Sequence, residues 1–208
     1  KNQKANNQAA FEAKTIGSSG GTIDIRAREG MLLAGDLRGA AGTANARGGT
    51  LSLTLDREDR VGGDAFPQAA RNLMLTTAAP ASVLPANLQA GDVIAGHEGE
   101  AVVPVATFAN GGFTNLKFKS QDILSWVGSQ ADGSGAVALT AGSSIELNAP
   151  NLRVADSATG TEVQISAPYV SLGSSDIRYQ TPELATDGRS SLKVNATVCL
   201  FQLFVAMS

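Results

Sequence analysis

The side chains best suited to chemistry are four carboxylates at Asp56, Glu58, Asp59 and Asp64, a lone histidine at His97 and a serine between glycines at Ser19. Clustered carboxylates offer the oxygen ligands that calcium takes. Arg57 and Arg60 are interleaved with them, and the glycine-anchored loop of a calcium hand is missing, so a solvated loop is expected. The glycine-rich calcium nonapeptides of secreted toxins are absent too. Gly17-x-Ser19-x-Gly21 has the letters of a nucleophile elbow. That device needs a strand before it, a helix after it and a histidine alongside. Here it lies in a Gly/Ser-rich leader, and it reads as a linker. His97, beside Glu98 in a glycine-flanked loop, is expected to be exposed.

Enzymes that cut polysaccharides use paired carboxylates set close together on one face. The carboxylates that fall on alternating segments here are Asp24 and Glu146, each isolated and each expected to point outward. Trp126 takes an apolar position in a repeated pattern and reads as core rather than as a platform for sugar. Cys199 lies in an apolar run and is expected to be buried and inert. No catalytic, cofactor-binding or metal-ligating residue is assigned, and no cofactor is called for. A carbohydrate-active β-helix enzyme, a polysaccharide lyase or hydrolase, is the alternative to a non-enzymatic reading.

What would position any such group is a repeat. Ile145-Glu146-Leu147-Asn148-Ala149-Pro150-Asn151-Leu152-Arg153-Val154 is echoed by Val163-Gln164-Ile165-Ser166-Ala167-Pro168-Tyr169-Val170-Ser171-Leu172. Each copy is two short alternating runs, the pattern of a strand with one buried face. Proline cannot donate to a ladder, so the Ala-Pro corner separates two strands. A longer form, apolar-x-apolar-x-small, three spacers, apolar-x-apolar, recurs three times. Its positions are Ile23, Ile25, Ala27, Met31 and Leu33; Leu116, Phe118, Ser120, Leu124 and Trp126; and Val137, Leu139, Ala141, Ile145 and Leu147. A small residue at the corner lets successive backbones stack closely. Such a unit buries its apolar face only against copies of itself.

The chain has 208 residues, enough for a substantial core, and a net charge of −3, which suggests neither nucleic acid nor an anionic membrane as partner. One cysteine excludes an internal disulfide framework. Residues 1–10 are polar and lack the apolar core of a signal peptide, so an exported protein would contain this chain as an internal segment. The apolar run at 198–207 is too short to cross a bilayer, which takes roughly 20 residues.

Residues 1–19 read as an arm or linker and 20–208 as an array of short strands. Strands are expected from Thr22 to Ala27, Met31 to Ala34, Gly49 to Leu55 and Asn72 to Thr76. Openings near 22, 50, 73, 113, 136, 162 and 191 recur at the period of solenoids. Residues 56–110 break the rhythm and are expected to be an irregular, partly helical insertion, with a short helix over 101–110. The fold class is all-β, a coiled parallel β-solenoid. The expected inward set is Ile23, Ile25, Leu51, Leu53, Val137, Leu139, Ile145, Leu147, Val163, Ile165, Val170, Leu192 and Val194.

Gly-Gly-Thr-Ile-Asp-Ile-Arg-Ala at 20–27, Leu-Pro-Ala-Asn-Leu-Gln-Ala-Gly-Asp at 84–92, Gly-Gly-Phe-Thr-Asn-Leu at 111–116 and Ile-Ser-Ala-Pro-Tyr-Val-Ser-Leu-Gly at 165–173 resemble large exoproteins of the filamentous haemagglutinin family. The resemblance covers roughly residues 20–197 and rests on repeat motifs. It implies a right-handed parallel β-helix (β-solenoid) that is secreted or held on the outer cell surface of a Gram-negative bacterium. It further implies adhesion or contact-dependent antagonism. The partners would be a receptor or glycan on host or neighbouring cells, and the outer-membrane transporter of the two-partner system during export, with no nucleic acid and no membrane insertion. No catalytic residues belong to this part of the family. The chain departs from the pattern after Thr197.

Replacing Leu147 with Asp should abolish folding, because a carboxylate on an inward position cannot be solvated. A soluble variant with an unchanged circular dichroism spectrum would contradict this register.

Overall fold

Alternation of apolar and polar residues leaves each segment one buried face, and parallel stacking satisfies every segment at once. The computed structural model describes residues 16–57, 69–78, 87, 89, 96–128, 135–155, 160–174 and 190–202. Its strands are β1 (Thr22–Ala27), β2 (Met31–Leu32), β3 (Thr50–Leu55), β4 (Asn72–Thr76), β5 (Glu100–Pro104), β6 (Asn115–Ser120) and β7 (Ile123–Val127). They continue as β8 (Val137–Thr140), β9 (Ser144–Asn148), β10 (Asn151–Val154), β11 (Glu162–Ser166), β12 (Tyr169–Gly173), β13 (Ser191–Asn195) and β14 (Val198–Gln202). A single four-residue helix, α1 (Ala106–Ala109), is the only α-helix among the described residues.

Every pairing among these strands is parallel. They form three sheets: a first face ordered β1-β3-β6-β9-β12-β14, a second ordered β10-β7-β4-β5-β2 and a third ordered β13-β11-β8. From β6 to β12 the chain visits the three faces in turn, and with every ladder parallel the molecule is an all-β parallel β-helix. At a spacing of about 4.8 Å per step, the first face rises about 24 Å.

Two side-chain columns run up the inside of the first face. One is Ile23, Leu51, Leu116, Ile145, Val170 and Cys199; the other is Ile25, Leu53, Phe118, Leu147, Leu172 and Phe201. From β3 to β12 both columns are fully buried. Burial fades at the ends of the described stack, where a coil has one described neighbour instead of two. Ile23 and Ile25 are half-buried, and on β14 Cys199 and Phe201 are exposed. The same end effect overturns two expectations. Leu192, expected inward, is 45% exposed on the end strand of the third face, and Cys199 is exposed rather than buried although it holds an inward register. The remaining expected inward residues are buried, or half-buried at Ile23, Ile25 and Val194.

The Ala-Pro corners lie where expected, between β9 and β10 and between β11 and β12, with Ala149 and Ala167 buried. The carbonyl of Pro168, which has no N–H to offer, accepts from the N–H groups of Thr197 and Val198 on the next coil at 3.0 Å each. The phase of the repeat differs from the expected one. Ile145 stacks on Leu116 and Val170, all on the first face, whereas Val137 and Val163 stack on each other on the third. A strand–corner–strand unit looks alike at every corner of the coil, so units on adjacent faces share one sequence pattern.

The described residues of 56–110 include regular core strands rather than only an irregular insertion. β4 and β5 are central strands of the second face, and Leu73, Leu75, Ala101 and Val103 are fully buried. β5 enters between β2 and β4, which come from successive coils and whose first-face partners β1 and β3 are direct neighbours. The expected helix over 101–110 is therefore a strand to Pro104, with only Ala106–Ala109 helical. The β-branched Val102 and Val103 fit the ladder better than a helix. α1 contributes Phe108, whose ring packs on Phe118 with centroids 5.4 Å apart. β2 is shorter than expected, its ladder continued only by Leu33 N–H to the Val102 carbonyl at 3.2 Å. Residues 203–208 lie outside the described residues. β14 itself continues the stack beyond Thr197, in register with β12.

Gly20-Gly21 and Gly48-Gly49 are one corner on successive coils, as expected: the Thr50 N–H donates to the Gly21 carbonyl at 3.0 Å. A methyl at Gly49 would lie 2.3 Å from the Gly21 oxygen, whereas one at Gly21 would meet nothing within 4 Å. Gly49→Ala should cost about 1–3 kcal/mol, since only backbone can yield there. Gly21→Ala should stay within about 0.5 kcal/mol of the parent. Urea denaturation of both variants checks this, and equal midpoints would contradict the close-packed corner.

Candidate functional site

The outer side of the first face is a lattice of polar side chains held at fixed spacing by the ladder. One outward column reads Asp24, Ser52, Lys117, Glu146, Ser171 and Leu200. Its charges are paired with near neighbours: Asp24 with Arg26 at 3.1 Å, and Lys117 with Glu146 one step away at 3.1 Å. Beside this column Lys119 pairs with Asp56, and Asn115 links Thr50 to Ser144 by hydrogen bonds of 3.4 and 2.9 Å. On the third face Lys193 reaches Glu162 on the preceding coil at 2.7 Å.

Asp24 and Glu146, the two carboxylates expected on strands, both face outward; β5 and β11 open with two more, Glu100 and Glu162. Three steps separate Asp24 from Glu146 in the column, about 14 Å, with Ser52 and Lys117 between. Paired carboxylates that cleave glycosidic bonds stand roughly 5 to 9.5 Å apart, so these two do not act as such a pair. The hydrogen bond from Arg26, followed by one from Ser52, holds the Asp24 carboxyl below its ordinary range. Lys193, then Gln164, does the same to Glu162. Both groups take up protons less readily in the fold than in the unfolded chain. Their contribution to stability is therefore present above the ordinary carboxylate range and is lost as pH falls through the lowered values.

The densest polar cluster is at the corner between the first and second faces, and it centres on Arg71. This side chain is 2% exposed, yet its donors are used. Nε donates to the Arg28 carbonyl at 2.7 Å, one terminal nitrogen to the Ala69 carbonyl at 2.6 Å and the other to Glu29 Oε2 at 2.7 Å. The Arg71 N–H donates to Asp122 Oδ2 at 2.7 Å, and its carbonyl accepts from Ser120 Oγ at 2.9 Å and from the Ile123 N–H at 2.8 Å. Three successive coils are tied at one point. Arg57 belongs to the same corner, its N–H donating to Gln121 Oε1 at 3.2 Å and its guanidinium 3.8 Å from Glu29. Nothing in the spacing of Arg71 distinguishes it in the sequence from a surface arginine. The neighbouring apolar alternation was the one available hint.

The other candidate residues are not brought together. Ser19 precedes β1 beside the 42–47 segment, while His97 lies at the opposite end of β1, its carbonyl against Gly30 and its Nδ1 3.4 Å from Glu100 Oε2. His97 is partly buried rather than exposed. Trp126 is core, as its pattern position implies, and its indole N–H has no acceptor among the described residues. Of the acidic cluster only Asp56 is described; Glu58, Asp59 and Asp64 lie outside the described residues, as does most of 79–95. Among the described residues no three His, Cys, Asp or Glu side chains converge as metal ligands. A cavity of about 420 Å³ opens between the 36–40 segment and α1, lined by Asp36, Arg38, Thr107 and Asn110. A second, of about 270 Å³, sits at the corner of Pro168 and Thr197. No helix among the described residues is long and apolar enough to cross a membrane.

No family model, curated protein or solved structure matches the chain. The class of protein is accordingly set by its fold, a parallel β-solenoid.

Arg71→Ala should destabilise the protein by about 2–4 kcal/mol, because the Arg28 and Ala69 carbonyls lose their partner in a site closed to water. Glu29→Gln should cost about 1 kcal/mol or less, since Glu29 is 64% exposed and screened. Denaturation midpoints of the two variants measure the difference. Equal losses would show that the ion pair, rather than the backbone bonds, carries the corner.

Proposed function

We propose that this chain is a structural and adhesive segment of a large secreted bacterial surface exoprotein, a rigid rod that presents binding or effector regions away from the cell. The observation that carries the reading is the parallel stack itself. Six strands on one face repeat the same step with both inward columns continuous, an arrangement that resists bending and extends by adding coils. The cross-coil ion pairs and hydrogen bonds on the outside support a scaffold role, since they engage polar groups with each other. The resemblance to filamentous haemagglutinin exoproteins supplies the secreted location, the two-partner transporter and a receptor or glycan on another cell.

The proposal is tested by incubating the labelled chain with epithelial cells and with Gram-negative bacteria, and in parallel with anionic polysaccharides with and without calcium. Saturable cell binding and no change in polysaccharide chain length are expected. Depolymerisation of a polysaccharide would replace the rod by an enzyme, and absence of binding to either cell type would remove the adhesive role.

A further inference from the structure

We propose that the cavity between the 36–40 segment and α1 is a binding site for a neutral sugar, taken as a single ring. The flank of a parallel stack is flat wherever the ladder continues, and here the 36–40 segment lies against a helical turn instead of a strand. The Leu37 N–H donates to the Thr107 carbonyl at 2.8 Å, and the Gly39 N–H to the Gly111 carbonyl at 2.7 Å. Leu37 packs on the core and Gly39 is buried, which leaves Asp36, Arg38 and Ala40 together on the open side. The approach is close. A methyl on Gly39 would lie 2.4 Å from the Phe113 ring, and one on Gly111 would lie 2.3 Å from the Leu37 oxygen. Backbone therefore holds the walls, and the cavity is pre-formed. Its volume of about 420 Å³ falls within the roughly 300–1,000 Å³ of small-molecule sites.

The lining has no net charge and has polar groups to spare. Asp36 and Arg38 meet through one oxygen and one nitrogen at 3.4 Å, with both side chains more than two-thirds exposed. Most of the carboxylate's acceptor sites and the guanidinium's donors stay open. Thr107 is 8% exposed, yet its hydroxyl makes no hydrogen bond with a described residue, and neither does the Asn110 carboxamide. A simple cation or anion would meet its like charge here as closely as its opposite. A zwitterion would have to break the Asp36–Arg38 pair. Sugar hydroxyls both donate and accept, so they satisfy carboxylate, guanidinium, carboxamide and the Thr107 hydroxyl with the pair intact. The methyls of Ala40 and Ala106 offer the C–H side of the ring a small apolar surface. This inference rests on the cavity alone, and a chain that adheres to no cell can still bind the sugar.

Titration of the ¹⁵N-labelled chain with the methyl glycosides of glucose, galactose, mannose and N-acetylglucosamine, followed by amide shifts, tests it. The expected result is saturable shifts at residues 36–40 and 106–111 with at least one glycoside, unchanged by high salt. Thr107→Val keeps the side chain's shape and removes the hydroxyl. It should weaken that binding by roughly 5- to 10-fold, the worth of one neutral hydrogen bond, and leave the urea midpoint unchanged or raised. Asn110→Ala, at an exposed position, should weaken binding by a similar factor. Ser52→Ala, on the outer side of the first face, should change nothing. The proposal is overturned if no glycoside shifts these amides, or if acetate or glycine shifts them at lower concentration than every glycoside. Binding as tight as the parent's in both Thr107→Val and Asn110→Ala would overturn it too.

Discussion

The stacking of one coil on the next is the interaction on which the remainder of the molecule depends. A single coil of this chain has no core. Leu51 and Leu53 are closed off only because Ile23 and Ile25 lie on one side of them and Leu116 and Phe118 on the other. The parallel ladder supplies the hydrogen bonds and fixes the step, so like side chains are brought over like. Burial is consequently graded along the axis, complete in the middle and partial on β1, β13 and β14. Stability in such a stack is approximately a sum of coil and interface contributions, and it is weakest at the ends.

Corners are where this regular arrangement meets opposing demands. A backbone that turns sharply leaves N–H and C=O groups outside the ladder, and a closed corner must satisfy them without water. Two solutions occur here. At the corner before β1 and β3, glycines let backbones approach until they bond directly, Gly49 N–H to Gly39 carbonyl at 2.6 Å. At the corner between the first and second faces, the room is filled instead by Arg71. Its guanidinium forms a planar fork that reaches the Arg28 and Ala69 carbonyls and Glu29 together. A buried cation is tolerated because those donors have acceptors and its carboxylate partner remains in water.

Much of this was readable from residue order, and the failures have physical causes. Alternation marks a strand wherever one face is buried, so β1, β3, β4, β6, β9 and β12 follow from Ile23 to Leu172 directly. Alternation carries no information about which face a strand joins, so Val137 and Ile23 share one pattern although they lie on different faces. β5 was hidden for another reason. Ala101 to Pro104 is apolar without a break, and Val102 is buried although it faces outward, so the period-two signal vanishes. Position in the stack is equally invisible: Cys199 and Leu192 have the pattern of inward residues and are exposed because no described coil covers them. The Arg71 corner depends on contacts 42 to 51 residues apart, beyond the reach of local spacing.

The central claim is that coils bury themselves in parallel register on their neighbours. Nuclear Overhauser contacts in a methyl-labelled sample test it most directly. The account predicts a chain of methyl contacts stepping from Leu51 to Leu116, Ile145 and Val170, without strong contacts between the Hα protons of β6 and β9. Strong Hα–Hα contacts between those strands would mean antiparallel pairing. A break in the methyl chain at Ile145 would mean a different register, and either result would contradict the stack.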